Sequence, residues 1–335
     1  MAREALLVKE FRGGMLECVH YGHICVVDEH GQVKNFAGDP HFRAFTRSAA
    51  KPFQAIPGIR AGLISHYGLS EAEVAIMTAS HRAQHNHVET LEGLIRKTGL
   101  QEQGLVCAPS LPLDRETRTE LLRSGGDTRK LYHNCSGKHL GLQAYCKMSG
   151  LPLDSYNDPG HPVQKEILET LAALADYRAE DIHLATDGCG LPVFNLPLSA
   201  LATAYMKLAC PDRIIDRETA EAVQVITSSM NKFPEMVSGS GRIDTMLLED
   251  DNIVAKGGFK GVYAFSLREE RLGIAFKILD GSEEEWGMIV LEILRQIGYK
   301  NTHTLQRLEA AFNGIIRNDE GWEVGLSEPV LVLEK

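Results

Sequence analysis

The sequence predicts an α+β fold: an antiparallel sheet built from N- and C-terminal strands, with a helical region inserted between them. Short segments rich in valine and isoleucine, separated by turn residues, lie near both ends of the chain. Between them, apolar residues recur at the three- and four-residue spacing of helices. Strands and helices segregated along a chain are typical of this class. We therefore expect one domain over residues 1–335, with a sheet part at about 1–46 and 240–335 and a helical part at about 47–239.

The strands are predicted from short β-branched runs that end at turn residues. Residues 29–31 (EHG) form such a turn and predict a hairpin near the N-terminus. The predicted strands are residues 5–10, 18–27, 32–36, 252–256, 261–267 and 271–279, with the weakly alternating 322–333 as a further one.

The helices are predicted from apolar spacing and from their start signals. Ser70 and Glu73 form a capping box, and Pro162 suits the first turn of another helix. Besides the helix that opens at Ser70, the predicted helices are residues 49–62, 87–98, 115–123, 138–149, 162–176, 196–208, 216–231 and 285–297.

Composition excludes several classes of protein. Of the 335 residues, 44% are hydrophobic and 24% are charged, which are ordinary globular values. The net charge of −10 and the lack of a basic run argue against a nucleic-acid partner. No apolar run has the length of a membrane span, and the N-terminal residues lack a signal peptide's apolar region. We expect a cytoplasmic protein that acts without a membrane.

The seven cysteines do not suggest a disulfide framework, because their number is odd and no secretion signal is seen. Cys135 and Cys189 lie in polar, glycine-containing segments. The other five have apolar neighbours and are predicted to be small core residues: Cys18, Cys25, Cys107, Cys146 and Cys210.

Residues 47–52 (RSAAKP) hold the first candidate catalytic pair. Ser48 and Lys51 are three apart and would share one face of a helix. A buried lysine near other cations, such as Arg47, has a lowered pKa and can activate a serine. Pro52 suits the first turn, which would place Ser48 at the helix start, where free N–H groups stabilise an oxyanion. The alternative is a chance S-x-x-K match at a helix cap.

Two further segments combine cysteine with charged residues. Residues 133–139 (HNCSGKH) precede a predicted helix, and residues 186–192 (TDGCGLP) form a second polar loop. Each is explained in part by an ordinary loop or helix cap. The alternative is that Cys135 and Cys189 meet at a metal, since zinc binds cysteine in tetrahedral sites.

Three other features carry candidate chemistry. His81, His85 and His87 follow Ser80 closely, which suggests acid–base or metal chemistry, although surface histidines are common. Residues 238–245 (SGSGRIDT) are glycine-rich without a nucleotide-binding pattern, and Arg242 there is suited to a substrate carboxylate. Lys256 stands at a strand end beside glycines and either contacts substrate or blunts a sheet edge.

Together, these segments resemble the Rhizobium-type L-asparaginases, also called the asparaginase II family. The resemblance covers nearly the whole chain. It rests on Arg12-Gly13 with Glu17 and His20, on residues 47–54 (RSAAKPFQ), on Ser80-His81 with His87, on residues 133–139 and 187–190 (DGCG), on Gly241-Arg242 and on Lys256-Gly257.

The resemblance implies a fold similar to serine β-lactamases and penicillin-binding proteins, and two serine–lysine pairs. Ser48 with Lys51 matches the first pair, and Ser80 with Lys256 matches the second. It also implies a homodimer. The positions that match the family's zinc ligands are Cys135, Lys138 and Cys189, and those that match substrate-contacting or supporting residues are Arg47, His139, Asp187 and Arg242.

The chain departs from the family pattern at two places. Residues 82–84 read RAQ where Ser-Gly-Glu is expected, and Phe259 and Lys260 stand where a small residue and an acid are expected.

The predicted function is hydrolysis of L-asparagine to L-aspartate and ammonia. Ser48 would attack the side-chain amide, Lys51 would take its proton, and Ser80 with Lys256 would relay a proton to the leaving group. One alternative is another serine–lysine hydrolase, such as a β-lactamase-like enzyme or an esterase. The other is a non-catalytic protein that binds zinc or an amino acid.

Overall fold

The structure is a computed structural model and describes residues 4–335. These residues form strands β1 (Ala5–Arg12), β2 (Met15–Val27), β3 (Val33–Ala37), β4 (Arg43–Phe45), β5 (His183–Thr186), β6 (Pro192–Pro197), β7 (Ile253–Gly257), β8 (Val262–Leu267), β9 (Leu272–Ile278), β10 (Ile315–Arg317) and β11 (Glu323–Pro329).

The helices lie mainly between β4 and β7. They are α1 (Lys51–Arg60), α2 (Leu63–Tyr67), α3 (Glu71–Met77), α4 (His85–Thr98), α5 (Arg115–Arg123), α6 (Ser136–Met148), α7 (Pro162–Leu174), α8 (Leu198–Ala209), α9 (Arg217–Lys232), α10 (Pro234–Ser238), α11 (Ile243–Leu248), α12 (Trp286–Gln296) and α13 (Thr302–Ala311).

The main sheet joins the two ends of the chain. Its order is β10-β11-β1-β2-β9-β8-β7, all neighbours are antiparallel, and β3 also pairs with β2. The predicted fold class is therefore confirmed. A small sheet of order β4-β6-β5, which the sequence did not predict, lies within the inserted region. The extent of the single domain stays a prediction.

Alternating side chains of the sheet enter two separate hydrophobic clusters. In β2, Ile24 and Val26 join one cluster with α12, while Cys25 and Val27 join the other with the inserted helices. This alternation follows from the two-residue period of a strand. The sheet is therefore covered on both faces, and the inserted helices share a core with one of them.

Helix α8 links the sheet to the inserted helices. It is buried along nearly its whole length and packs on β8 and β9. Its Tyr205 hydroxyl donates to the Ala49 carbonyl at 2.7 Å, and the Tyr205 and Phe53 rings meet edge to face. The segment that carries Ser48 is thereby fixed to the central helix.

The predicted long helices are present, and their ends shift by a few residues at most. Within residues 4–335, no helix is long and apolar enough to cross a membrane. Of the predicted core cysteines, four are buried, but Cys18 is only partly buried.

Candidate functional site

A cleft of about 440 Å³ lies where the inserted helices meet the end of β7. Eight separate segments of the chain line it. The side chains that matter for its chemistry are Arg47, Ser48, Ser80, Arg82, Cys135, Asp187, Cys189, Arg242, Asp244, Lys256, Phe259, Glu283 and Trp286.

Ser48 lies in a 3-10 turn, Arg47–Ala50, that precedes α1. The sequence predicted Ser48 near the start of a helix, and α1 begins three residues later, at Lys51. Ser48 is 8% exposed, and it lies at the cleft wall. The turn therefore presents one serine hydroxyl to an otherwise enclosed site.

Glycines allow β7 to approach this turn. A Cβ atom on Gly258 would lie 2.9 Å from the Thr46 carbonyl oxygen, and one on Gly257 would lie 2.9 Å from the Trp286 ring. Neither position has room for a side chain. The glycines after Lys256 thus bring the strand end against the segment that carries Ser48.

Arg47 has a strained backbone with φ of 49° and an extensively paired side chain. Its Nε donates to Asp187 Oδ1 at 2.7 Å, and its guanidinium lies 4.9 Å from the centre of the Phe259 ring. Positive φ in a residue other than glycine is costly and persists where surrounding contacts hold it. Arg47 and Asp187, both predicted to contact substrate, are therefore bonded to each other, and Phe259 stacks on the pair.

Lys51 is fully buried below the cleft. Its Nζ donates to Ser80 Oγ at 3.1 Å, to the Asn134 carbonyl at 3.3 Å and to the Ala79 carbonyl. Burial lowers the pKa of Lys51 to about 8, and the charges of other lysines in the site contribute to this shift. About a tenth of the Lys51 amine is therefore neutral at about pH 7, and about half at about pH 8.

Lys256 is also buried but has a carboxylate partner. Its Nζ lies 3.1 Å from Asp244 Oδ2 and donates to the Gly257 carbonyl at 2.7 Å. The other Asp244 oxygen accepts from the Gly257 amide and the Tyr263 hydroxyl. Burial alone would raise the pKa of Asp244, but the Lys256 charge and the Tyr263 bond lower it overall.

The hydrogen bonds do not follow the predicted serine–lysine pairs. Lys51 bonds to Ser80, and Lys256 bonds to Asp244. Within residues 4–335, neither lysine donates to the Ser48 hydroxyl. The predicted catalytic side chains do meet at one cleft, while their assignment to two pairs stays a prediction.

Arg242 and Arg82 make one part of the cleft cationic. Within the described chain, the Arg242 side chain has no ion pair, whereas Arg82 donates to the Leu113 carbonyl at 2.8 Å. Burial, and then the Arg242 charge, lower the pKa of Arg82. Two guanidinium groups that line the same cleft favour an anion there.

His139 lies below the cleft and does not line it. The His139 ring is fully buried, its Nδ1 contacts the Tyr156 hydroxyl at 2.6 Å, and its Nε2 has no partner among the described residues. Burial and the neighbouring Lys138 charge hold the pKa of His139 well below its usual value. The predicted contact of His139 with substrate stays a prediction.

Cys135, Lys138 and Cys189 are buried together at the start of α6 and in the turn between β5 and β6. Lys138 Nζ lies 3.1 Å from Cys189 Sγ. Hydrogen bonding to Cys189 lowers the pKa of Cys135 against the effect of burial, and the lysine charges lower it further. Burial lowers the pKa of Lys138, but the negative charge of the cysteines outweighs it and raises this pKa overall.

This donor set fits zinc in its chemistry. Cysteine sulfur is a suitable zinc ligand once it is deprotonated, and a lysine amine can serve as a third ligand once it is neutral. Cys135 has a lowered pKa, whereas the hydrogen bond with Cys135 and burial raise the pKa of Cys189, so a metal would have to displace the Cys189 proton. The Lys138–Cys189 contact shows that amine and sulfur already meet. Zinc would also have to replace a proton of Lys138, because the negative charge of the cysteines raises the pKa of this amine.

His81 and His87 stabilise the turn that carries Ser80. His81 contacts Ser136 Oγ and the Ala83 amide, and His87 contacts the Gln84 amide and the Glu235 carbonyl. Each of these rings already has two partners, and His85 is exposed at the surface. The histidines therefore fix Ser80 in place and do not converge on a metal.

Asp244 and Trp286 were not predicted from the sequence. Asp244 lies in the glycine-rich segment that the sequence analysis singled out because of Arg242. The one feature that could have pointed to Asp244 is a single acidic residue at the start of a short helix. Trp286 begins α12 far along the chain. Only the folded sheet brings these two residues to Lys256.

A family model described as L-asparaginase II matches residues 8–329 of the chain. No curated protein sequence matches the chain.

Three solved structures are similar to it. A putative β-lactamase from Bacteroides dorei DSM 17855 is 16% identical, with 82% of this chain and 93% of that chain covered and a TM-score of 0.46. A β-lactamase from Mycobacterium bovis is 12% identical, with 82% and 94% covered and a TM-score of 0.39. A Bacillus glutaminase is 14% identical, with 82% and 90% covered and a TM-score of 0.37. All three similarities are distant, so the fold is defined by the strand order of the chain itself.

Proposed function

The chain belongs to the L-asparaginase II family, and on that premise we propose that it hydrolyses L-asparagine to L-aspartate and ammonia through a serine–lysine site. Family membership makes it an amidohydrolase. The observation that carries the finer proposal is Lys51: a fully buried amine with a pKa of about 8, bonded to Ser80 beneath the cleft that Ser48 lines. Such an amine is a suitable general base near neutral pH.

In the proposed reaction, Ser48 Oγ attacks the amide carbon of the substrate side chain. The Ser48 proton passes to Lys51, and the carbonyl oxygen gains negative charge. Backbone N–H groups of the turn stabilise this oxyanion, at roughly 3 to 4 kcal/mol per donor in comparable sites.

The tetrahedral intermediate then breaks its C–N bond. Lys51 returns the proton, through Ser80, to the leaving nitrogen, and ammonia departs. Water attacks the β-aspartyl ester with Lys51 again as base, and aspartate and free Ser48 result. Lys256, paired with Asp244, supplies positive charge beside the reacting groups rather than acting as the base.

Substrate recognition follows from the charges of the cleft. Arg242, with Arg82 beside it, suits the α-carboxylate of an amino acid. Asp187 and Glu283 line the same cleft and suit its α-ammonium group. The departures from the family pattern therefore add a cation at Arg82 and an aromatic surface at Phe259.

Zinc is part of the proposal, with Cys135, Lys138 and Cys189 as its ligands. When bound, zinc would act as a Lewis acid that orients a polar group of the substrate. The residues of the chain supply the nucleophile and the base without it.

The test measures ammonia release from L-asparagine, with L-glutamine, a chromogenic β-lactam and a chromogenic ester in parallel. We expect release from asparagine, and a loss of about 10⁴-fold or more in Ser48→Ala. Ser80→Ala is the matched control, because it removes the hydroxyl that is proposed to relay the proton and leaves the Ser48 nucleophile in place.

Mass spectrometry of a quenched reaction locates the acyl group. An acyl group on Ser80 would overturn the assignment of the nucleophile. Turnover of only the β-lactam or the ester would favour the other hydrolase, and thermal stabilisation by asparagine without turnover would favour a binding protein.

We also propose the homodimer, from the family resemblance alone, and the cytoplasmic location, from the lack of an apolar run as long as a membrane span. Light scattering of the purified chain tests the first, and fractionation of cells tests the second.

A further inference from the structure

A second cluster of metal-binding side chains lies outside the cleft, on the sheet. Glu10, Cys18 and His20 have ligand atoms that all lie within 4.8 Å of one another. None of them lines the cleft. This is the one group of three or more such side chains found at this spacing within residues 4–335.

The strand register explains why these residues meet. Glu10 of β1 pairs directly with Cys18 of β2, and Val8 pairs with His20. Side chains two residues apart share one face of a strand, and directly paired residues share it across strands. Cys18, predicted as a core residue, therefore faces a carboxylate and an imidazole instead of the apolar core.

The His20 imidazole is buried and has one unused nitrogen. Its side chain is 8% exposed, and its Nδ1 contacts Asp280 Oδ2 at 2.6 Å. Its Nε2 has no hydrogen-bond partner among the described residues. A carboxylate on one nitrogen commonly orients a histidine whose other nitrogen binds a metal.

Glu285, which precedes α12, brings a second unused atom to the same place. Its side chain is 3% exposed, and its Oε2 also lacks a partner among the described residues. Buried polar atoms are normally paired, because an unpaired one costs about 1 to 3 kcal/mol. Two such atoms in one cluster indicate a missing partner.

The distances around Nε2 suit ligands of one ion better than hydrogen bonds. Glu285 Oε1 lies 3.5 Å and Glu10 Oε1 3.8 Å from His20 Nε2. A hydrogen bond between N and O is about 2.7 to 3.2 Å long. Two nitrogen or oxygen ligands of one tetrahedral zinc are about 3.4 Å apart.

We propose that Glu10, Cys18 and His20 bind a divalent transition-metal ion of the zinc class, with the Glu285 carboxylate beside His20 balancing its charge. A thiol and an imidazole favour such an ion over magnesium or calcium, which prefer oxygen ligands alone. The three nearby carboxylates compensate its charge. Asp280 is 43% exposed, so the ion can enter from solvent.

The bound ion would fasten two strands to the segment before α12. That segment contributes Glu283 to the cleft, and it is followed by Trp286, the first residue of α12, which also lines the cleft. The ion therefore has a structural role, and its binding can be measured without any assay of activity.

The test compares metal content of the wild type with that of His20→Gln and Cys18→Ser after dialysis against zinc and removal of free metal. We expect each variant to lose one ion per chain, whatever the Cys135 site binds. His23→Gln, in the same strand, is the matched control and should lose none. Zinc should raise the melting temperature of the wild type more than that of either variant.

Cobalt provides a second readout that remains informative if His20→Gln folds poorly. Cobalt bound by a thiolate absorbs in the near ultraviolet, and we expect this absorption to fall in Cys18→Ser, which changes one partly buried atom. Equal metal content and equal cobalt absorption in all the proteins would overturn the proposal. His20 would then be an imidazole held in place by carboxylates alone.

Discussion

Lys51 lies below the cleft and Lys256 lines it, and both are buried, but their charges are compensated differently. Lys256 has the Asp244 carboxylate at 3.1 Å. Lys51 bonds only to two carbonyls and the Ser80 hydroxyl, and within residues 4–335 no carboxylate pairs with it. Burial therefore lowers the pKa of Lys51 to about 8.

The comparison shows that burial alone does not make a lysine a base. A carboxylate partner favours the charged form, and neutral hydrogen-bond partners do not. The two lysines are thus suited to different roles, one as a proton acceptor and the other as a fixed positive charge.

Among the changes that test this comparison of the two lysines, the largest expected effect is the loss of reaction rate in Lys51→Met. If Lys51 is the general base, kcat/KM for asparagine should fall by about 10² to 10⁴. The fold should remain, because the change removes a buried amine that has no carboxylate partner. Steady-state kinetics and circular dichroism check these two expectations. A folded Lys51→Met protein with more than a tenth of the normal rate would contradict the role of Lys51.

Unlike Lys51→Met, which should leave the fold intact, Lys256→Met should reduce the free energy of unfolding. Removing one partner of a buried ion pair leaves the Asp244 charge uncompensated, at a cost of about 3 to 5 kcal/mol. Adding Asp244→Asn should restore part of this loss. Urea unfolding of the two single variants and the double variant measures it, and equal stability of Lys256→Met and the double variant would show that the pair does not act as described.

The smallest expected effect is on the pH profile. The neutral form of Lys51 is the active one, so kcat/KM should rise with pH and level off above about 8. Because the Lys256 charge lowers the pKa of Lys51, Lys256→Met should move this midpoint to higher pH. A kcat/KM that stays constant from about pH 6 to about pH 9 would indicate that proton transfer to Lys51 does not limit the rate.

The fold was predictable where the residues of a single segment show the periodicity or the capping pattern of a strand or helix. The strands at both ends and the long helices have the expected periods, and Ser70 forms the predicted capping box with Glu73. The short elements β4 and α10 were missed, because three to five residues hold too little of a pattern. The sheet of β4, β6 and β5 was missed because its pairing depends on distant segments.

The sequence predicted which residues meet at the site, but it did not predict which of them form hydrogen bonds and ion pairs with one another. Ser48 and Lys51 share a local spacing, yet Lys51 bonds to Ser80, which is 29 residues away. Asp244 forms its pair with Lys256 across a helix-to-strand connection that leaves no spacing signal. Contacts of this kind depend on how elements pack, which a single sequence does not state.

The strand order also constrains how the protein forms during synthesis. Strand β1 pairs with β11, and the contact between Glu10 and Ser327 spans 317 positions. The pairing of β1 on the side away from β2 therefore cannot be completed until β11 has left the ribosome. The inserted helices, several of which pack directly on one another, can form earlier because their contacts are closer in sequence. Until then the edge of β1 that β11 later covers is open, and this nascent chain is the state in which aggregation is most expected.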